Sequence, residues 1–338
     1  MATLDIFNDN AFSMAELTNA IRIIPNKYGF LNDLGIFVAK PIRSTIAQIE
    51  YKNGVLNVLP QTERGGPASK GTIGGRNMRA FEVPNFAHED SILSEEVQNV
   101  RAFGTESEFS AVQDLVNDKM ITMADKHFVT KEHLRWGALK GVVVDGEGNT
   151  IYNYFDEFDV TQKVVNFNFT DASTDIAQTC RDLLRYISKA LLGESYTGKP
   201  LVVCSPEFWD AFIAHPDVKE AYAFVSGPNP LRDDVRNGFT FHDVTFVEHD
   251  GDVLLVDGET SAKYVPEGEA ILVLRGTRQL YQMYYAPADF METVNTPGLT
   301  MYAKHKMLDY NRGVEIHTQT NPLPIVTRPS LLVKFTFD

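Results

Sequence analysis

The sequence has few cysteines, no long apolar run and no excess of positive charge. Only Cys180 and Cys204 occur among its 338 residues, which excludes a framework of several disulfides and a four-thiolate metal site. A reduced intracellular protein with two buried thiols is therefore expected. No stretch of about 18 apolar residues occurs, and the first ten residues lack a basic region followed by an apolar one. We therefore expect a soluble cytosolic protein with no membrane partner.

The charge balance bears on nucleic-acid binding. Lys and Arg number 31 against 45 Asp and Glu, which gives a net charge of −14. A field of this sign opposes condensation onto DNA. Any contact with DNA is therefore expected to be weak, non-specific and local.

Motifs for catalysis or cofactor binding are missing or incomplete. The sequence contains no HExxH, GxSxG, CxxC or SxxK pattern. The stretch 193–200 matches a phosphate-binding loop except at its last position, where Pro200 offers neither the hydroxyl nor the amide hydrogen of the usual Ser or Thr. Cys204 follows a strand pattern and precedes a helix pattern, but no partner histidine can be assigned to it from sequence. We therefore expect the protein not to be an enzyme and to bind no cofactor.

The first 84 residues combine an N-terminal arm with a long two-stranded excursion. Residues 1–35 show no sustained period beyond a short helical stretch at Ser13–Ile21, so we expect this arm to gain order by lying against something else. Alternating β-branched residues predict a strand at 44–52, and Asn53-Gly54 predicts a hairpin turn before 55–59. Seventeen residues with five glycines and two prolines follow at 60–76. So long a loop is unusual inside a compact domain.

The charge of this excursion is inverted relative to the whole chain. Between residues 60 and 79 four basic residues face one acidic residue, Glu63. Three interpretations remain open: a solvated flexible loop, a basic arm that grips an acidic protein neighbour, or a nucleic-acid contact, which the absence of aromatic residues weakens. The candidate contact residues are Arg64, Gly65, Gly66, Lys70, Gly74, Gly75, Arg76 and Arg79.

The rest of the chain mixes helix and strand patterns. Thr105 to Glu108 form a capping box, after which an apolar stripe at three- and four-residue steps predicts a long helix up to Phe128. A hairpin is predicted at 142–154. Helices and strands alternate over 172–275, where Ser205-Pro206-Glu207 predicts a helix start. Strand patterns return at 279–338, and we expect the last strand to be paired in a sheet.

Three stretches carry a resemblance to a known family. Residues 264–277 and 312–335 run through a proline-acidic turn, a buried strand, an Arg-Gly turn, a long loop and a final pair of strands, and 202–212 form a strand-to-helix step. In this order they resemble the major capsid proteins of tailed bacteriophages, which have the HK97-type α+β shell fold, and most closely the lambda-like major capsid protein E family.

The resemblance implies a domain plan and a function. The plan begins with an N-terminal arm at 1–35 and an extended loop at 36–84 that lies over a neighbouring subunit. A peripheral domain follows at 85–171, with a spine helix at 105–136 and a β-hairpin. An axial domain at 172–280 and a return to peripheral strands at 281–338 complete it. The implied function is a structural subunit that is assembled in the host cytoplasm, as hexamers and pentamers, into an icosahedral head around double-stranded DNA. Scaffolding, portal and decoration proteins are the implied partners.

Two alternatives remain. An encapsulin-like nanocompartment shell shares the fold and encloses cargo enzymes in place of DNA. A hydrolase that uses Cys204 belongs to another class.

Overall fold

A computed structural model describes residues 13–24, 29–52, 76–98, 108–191, 194–226, 238–256 and 258–337. Its helices are α1 Met14–Ile23, α2 Phe30–Leu34, α3 Ser94–Gln98, α4 Glu108–Lys140, α5 Tyr154–Phe158, α6 Ile176–Ala190, α7 Pro206–Ala214 and α8 Pro216–Ser226. Its strands are β1 Val38–Pro41, β2 Ile46–Lys52, β3 Arg76–Glu82, β4 Phe86–Leu93, β5 Val142–Val144, β6 Thr150–Asn153, β7 Lys163–Asn166, β8 Leu201–Cys204, β9 Phe239–Phe241, β10 Val244–Glu248, β11 Asp252–Leu254, β12 Ser261–Lys263, β13 Ala270–Val273, β14 Tyr281–Tyr285, β15 Tyr302–Met307, β16 Gly313–Thr320, β17 Pro322–Val326 and β18 Val333–Thr336.

The chain divides into two compact units. Unit 1 contains the described residues of Met1–Ala47, Phe81–Leu134 and Met283–Pro324. Unit 2 contains those of Gln48–Ala80, Arg135–Gln282 and Ile325–Asp338. Three strands form a sheet in the order β1-β14-β17, and β2 pairs with β3.

The core of unit 1 lies between two helices and one face of a three-stranded antiparallel sheet. The sheet has the order β15-β16-β4. Its inward positions alternate with polar outward ones, as the period of a half-buried strand requires. Buried residues of the core include Met120 and Met123 from α4 and Ala303 and Ile316 from the sheet.

Helix α1 confirms the helix predicted in the N-terminal arm. Its N-cap is Ser13, whose hydroxyl accepts a hydrogen bond from the Glu16 amide. Leu17 and Ile21 are buried in the unit 1 core, and the Thr18 hydroxyl exchanges hydrogen bonds with both backbone groups of Ala303. The surface on which this part of the arm lies therefore belongs to its own chain.

Unit 2 is built on a six-stranded mixed sheet in the order β7-β18-β13-β8-β10-β9. The pairs β8 with β10 and β7 with β18 are parallel, and the others are antiparallel. The predicted pairing of the last strand is thus confirmed. Helix α7 begins at Pro206 behind the predicted N-cap Ser205, and a cluster of aromatic rings packs around it: Phe167, Phe169, Phe208, Phe212, Phe246 and Phe335.

Of the other predicted elements, some are present, one is longer than predicted and some lie outside the described residues. The hairpin at 142–154 is present as β5 and β6. Helix α4 continues to Lys140, twelve residues beyond the predicted stripe, whereas the capping residue Thr105 lies outside the described residues. Strand β2 pairs with β3. The predicted strand at 55–59 and most of the glycine-rich stretch lie outside the described residues.

Candidate assembly surfaces

The structure places two of the eight predicted contact residues. Arg76 begins β3, and Arg79 lies in the same strand. The other six lie outside the described residues: Arg64, Gly65, Gly66, Lys70, Gly74 and Gly75. The described part of the excursion is therefore its base.

The base of the excursion is packed on one face. Ala47 and Ile49 of β2 are buried while Gln48 between them is exposed. In β3, Phe81 is buried and its neighbours Ala80 and Glu82 are exposed. This alternation fixes the register of the strand pair, because a slip by one residue would expose the buried set.

Arg79 has partners within its own chain. Its Nη1 atom lies 3.8 Å from Oε2 of Glu157, and its guanidinium lies over the Phe158 ring at 5.1 Å from the centroid. Both partners belong to α5. The Arg79 and Glu157 side chains are 37% and 45% exposed, so the pair is weak, on the order of 0–1 kcal/mol. It ties the base of the excursion to α5.

Helix α4 presents an acidic face that the sequence reasoning missed. Asp114 and Asp118 are exposed and Asp125 is half-buried, and at 3.6 residues per turn the three lie within about 40° of one another. The opposite side carries the buried Val116 and Met120. No cation of the described residues lies within ion-pair distance of these three carboxylates. The spacing of 4 and 7 residues, opposite the apolar stripe, is the signal that could have revealed the face.

The lysines of this helix point to another surface. Lys119 Nζ donates to the Ser91 carbonyl at 2.7 Å and contacts Asp90 and Glu96, while Lys126 Nζ contacts His88. They therefore do not neutralise the acidic face. Asp114 and Asp118 are four residues apart, and like charges at this spacing destabilise an isolated helix by about 0.2–0.5 kcal/mol. A cation bound here would relieve that repulsion.

The environment of Cys204 is unsuited to a nucleophile. Its side chain is fully buried at the end of β8, and its thiol donates to the Val202 carbonyl at 3.6 Å. Burial raises the pKa of the thiol well above its usual value, whereas a reactive cysteine needs its thiolate form.

No group of three or more His, Cys, Asp and Glu side chains within the described ranges is arranged to hold a metal ion. In the part of the chain that the structure describes, every helix is too short or too polar to cross a bilayer.

Comparisons with known proteins match the chain over nearly its full length. The family model of phage major capsid protein E matches residues 13–337. The chain is 29% identical over 340 residues to the major capsid protein of Pseudomonas phage KPP10, covering 96% of this chain and 97% of that one. It is 26% identical over 355 residues to the major capsid protein of Salmonella phage Felix O1, covering 97% and 96%.

A solved structure shows the same fold. The protein assigned as the capsid protein of a prophage in E. coli CFT073 matches with a TM-score of 0.59 at 12% identity, covering 96% of this chain and 99% of that one. The HK97-type α+β fold implied by the resemblance is thereby confirmed.

Proposed function

The chain belongs to the phage major capsid protein E family, and we propose that it assembles as hexamers and pentamers into an icosahedral head around double-stranded DNA. It is a structural protein of the virion capsid and not an enzyme, and copies of it form the shell. The observation that carries the proposal is the family match across residues 13–337. Both curated relatives are phage proteins, which favours a phage head over an encapsulin-like compartment.

The proposed domains cut across the two compact units, because 135–171 and 325–338 lie in unit 2 together with the proposed axial residues. Residues 85–171, with α4 as the spine helix, would form the peripheral domain, and 172–280 the axial domain. A helix of 33 residues spans about 50 Å, a length suited to a spine. The pairing of β7 and β18 with the sheet of unit 2 supports adding these two strands to the axial domain. The arm at 1–35, the extended loop at 36–84 and the return at 281–338 complete the plan.

The extended loop would contact a neighbouring subunit through its cations. Arg64, Lys70, Arg76 and Arg79 are the proposed contacts, with Gly65, Gly66, Gly74 and Gly75 permitting close backbone approach. Arg79 already contacts Glu157, so the other three would carry most of the contact. The acidic face of α4, with Asp114, Asp118 and Asp125, supplies the complementary charge. Each exposed ion pair contributes about 0.2–1 kcal/mol, so the contact would gain its strength from several pairs.

The first test is whether the chain forms shells. Recombinant protein, expressed alone and with its neighbouring genes, is examined by light scattering and negative-stain electron microscopy. We expect closed regular particles in at least the second preparation. A monomer or small oligomer in both would refute the proposed head.

Charge reversal then tests the loop contact. We expect Asp114→Lys with Asp118→Lys to reduce the yield of closed shells at least tenfold, because the face would repel the loop. Arg64→Glu with Lys70→Glu should do the same, and combining all four changes should restore part of the yield. Asp217→Lys with Glu220→Lys, two exposed acids of α8 in unit 2, is the control of equal charge. Equal yields from all variants would contradict the contact.

The remaining partners would be scaffolding, portal and decoration proteins. The net charge of −14 supports weak and non-specific contact with the packaged DNA, because a strongly cationic lining would bind it tightly.

A further inference from the structure

Two histidines join α4 to the sheet of unit 1. Nζ of Lys126 lies 2.9 Å from Nε2 of His88 in β4. A lysine ammonium can only donate, so Nε2 of His88 accepts the hydrogen bond and the ring carries its proton on Nδ1. Protonation of His88 would place a second N–H where the lone pair is. The bond to Lys126 would then be lost and two like charges would stand in contact.

The second histidine is hydrogen-bonded to the sheet through Thr318. Nε2 of His127 lies 2.9 Å from the Thr318 hydroxyl, and that hydroxyl donates its only hydrogen to the His88 carbonyl. It must therefore accept from Nε2 of His127, whose ring would take up a further proton at Nδ1. The His127 side chain is buried. Helix α4, β16 and β4 are thus connected through Thr318 and the two histidines.

Burial and neighbouring lysines both disfavour protonation of the two rings. Burial and then the Lys126 charge lower the pKa of His88, against the opposing effect of Asp90 and Glu89. Burial and then Lys131 lower the pKa of His127 to about 3, with smaller contributions from His88, His317 and Lys126. Nδ1 of His317 donates a hydrogen bond to Oε1 of Glu89 at 2.7 Å. Further charged or titratable groups on the packed elements are Glu16 and Arg22 of α1, Asp118, Lys119 and Asp125 of α4, Lys304, His305 and Lys306 of β15, and Glu315 of β16.

We propose that this junction, formed by His88, Lys126, His127 and Thr318, is an acid-sensitive latch that holds the spine helix to its sheet. At neutral pH both rings are uncharged and the hydrogen-bonded connection is complete. In acid, protonation of His88 breaks its bond to Lys126, and the growing cluster of positive charge separates α4 from β4 and β16. The latch would let a fall in pH loosen the packing of α4 on the sheet of unit 1.

Hydrogen exchange of the full-length chain tests the latch. Exchange of peptides covering 116–128 is measured between pH 7.5 and 5.0, normalised to the intrinsic exchange rate at each pH. Because a group protonated only in the open form shifts the opening equilibrium about tenfold per pH unit, we expect protection to fall at least tenfold across this range. His88→Gln keeps an acceptor for Lys126 but cannot be protonated, and Lys126→Gln removes the neighbouring charge. Both should reduce the fall at least threefold.

A matched control and a clear refutation are available. His242→Asn, at an exposed turn in unit 2, should leave the pH profile of 116–128 unchanged. The proposal is overturned if His88→Gln and Lys126→Gln keep the wild-type pH slope, including the case in which they lower protection equally at every pH. Because the readout is made on the single chain, it does not depend on shell formation.

Discussion

Gly298 lies where three backbone segments of unit 1 meet. Its amide donates to the Ile42 carbonyl at 2.8 Å, and the Ile42 amide donates to the Tyr285 carbonyl at 2.9 Å. A Cβ atom at position 298 would overlap the Tyr285 carbonyl and lie 2.6 Å from the Ala286 carbonyl carbon. These obstacles are backbone atoms, so no side chain can rotate to make room. Gly298→Ala therefore forces the Tyr285 carbonyl away from Ile42.

The size of the effect follows from two contributions. Overpacking against fixed neighbours costs about 1–3 kcal/mol, and loss of the Ile42–Tyr285 hydrogen bond costs about 0.5–1.5 kcal/mol. Together they predict that Gly298→Ala lowers the free energy of unfolding by about 1.5–4.5 kcal/mol. Gly35→Ala in the same unit is the matched control, because its φ is +59° and nothing lies within 4 Å of its Cβ position. That variant should be destabilised only by the left-handed backbone penalty of about 1–2 kcal/mol.

Equilibrium urea denaturation and hydrogen exchange distinguish the two variants. Urea gives the loss in free energy of unfolding for each. Exchange of the Ile42 amide reports the broken hydrogen bond, and we expect faster exchange in Gly298→Ala only. The reasoning is refuted if Gly298→Ala is no less stable than Gly35→Ala and its Ile42 amide keeps wild-type protection.

Three further predictions concern unit 2. Phe208→Ala should lower the free energy of unfolding by about 3–5 kcal/mol, because the ring is fully buried against other aromatic rings, whereas Phe208→Leu should cost less than half as much in the same urea titration. Ser205→Ala should cost about 1–2 kcal/mol, since its hydroxyl accepts from the amides of Phe208 and Gly268, and an unchanged melting temperature would contradict this. Burial raises the pKa of Cys180 to about 12 and raises that of Cys204 well above its usual value, so a thiol reagent at pH 8 should modify neither in the native chain and both in urea.

Local sequence signals predicted the elements better than their pairing. Ser13 and Ser205 mark helix starts because an N-cap is a short-range interaction. The pairing of β7 with β18 joins residues about 170 positions apart, and no local pattern encodes it. The predicted apolar stripe of α4 ends at Phe128, although the helix continues, because the next buried positions are the charged residues Lys131 and Glu132. Glu132 is stabilised there by accepting a hydrogen bond from the Leu31 amide at 2.7 Å, a partner that periodicity cannot reveal.

Among the candidate contact residues, too, local features could be predicted from the sequence and long-range pairs could not. The inverted charge of 60–79 can be read from the sequence, because it is a count. The pairing of Arg79 with Glu157 depends on how β3 and α5 are placed, and could not be predicted. The face of Asp114, Asp118 and Asp125 could have been, since the same helical period that predicts the buried stripe also fixes the residues opposite to it.

The proposed contact between the basic loop and the acidic helix face would be of a particular kind. Each copy would offer one surface to a neighbour and receive the other surface from a second neighbour, so the contact would be heterologous and extend from copy to copy. Heterologous contacts close into rings only where the rotation between copies allows it. Because each exposed ion pair is weak and is screened over about 8–10 Å at physiological salt, a wrongly placed copy can dissociate before it is fixed. Weak and repeated pairs therefore suit a shell that must correct errors while it closes.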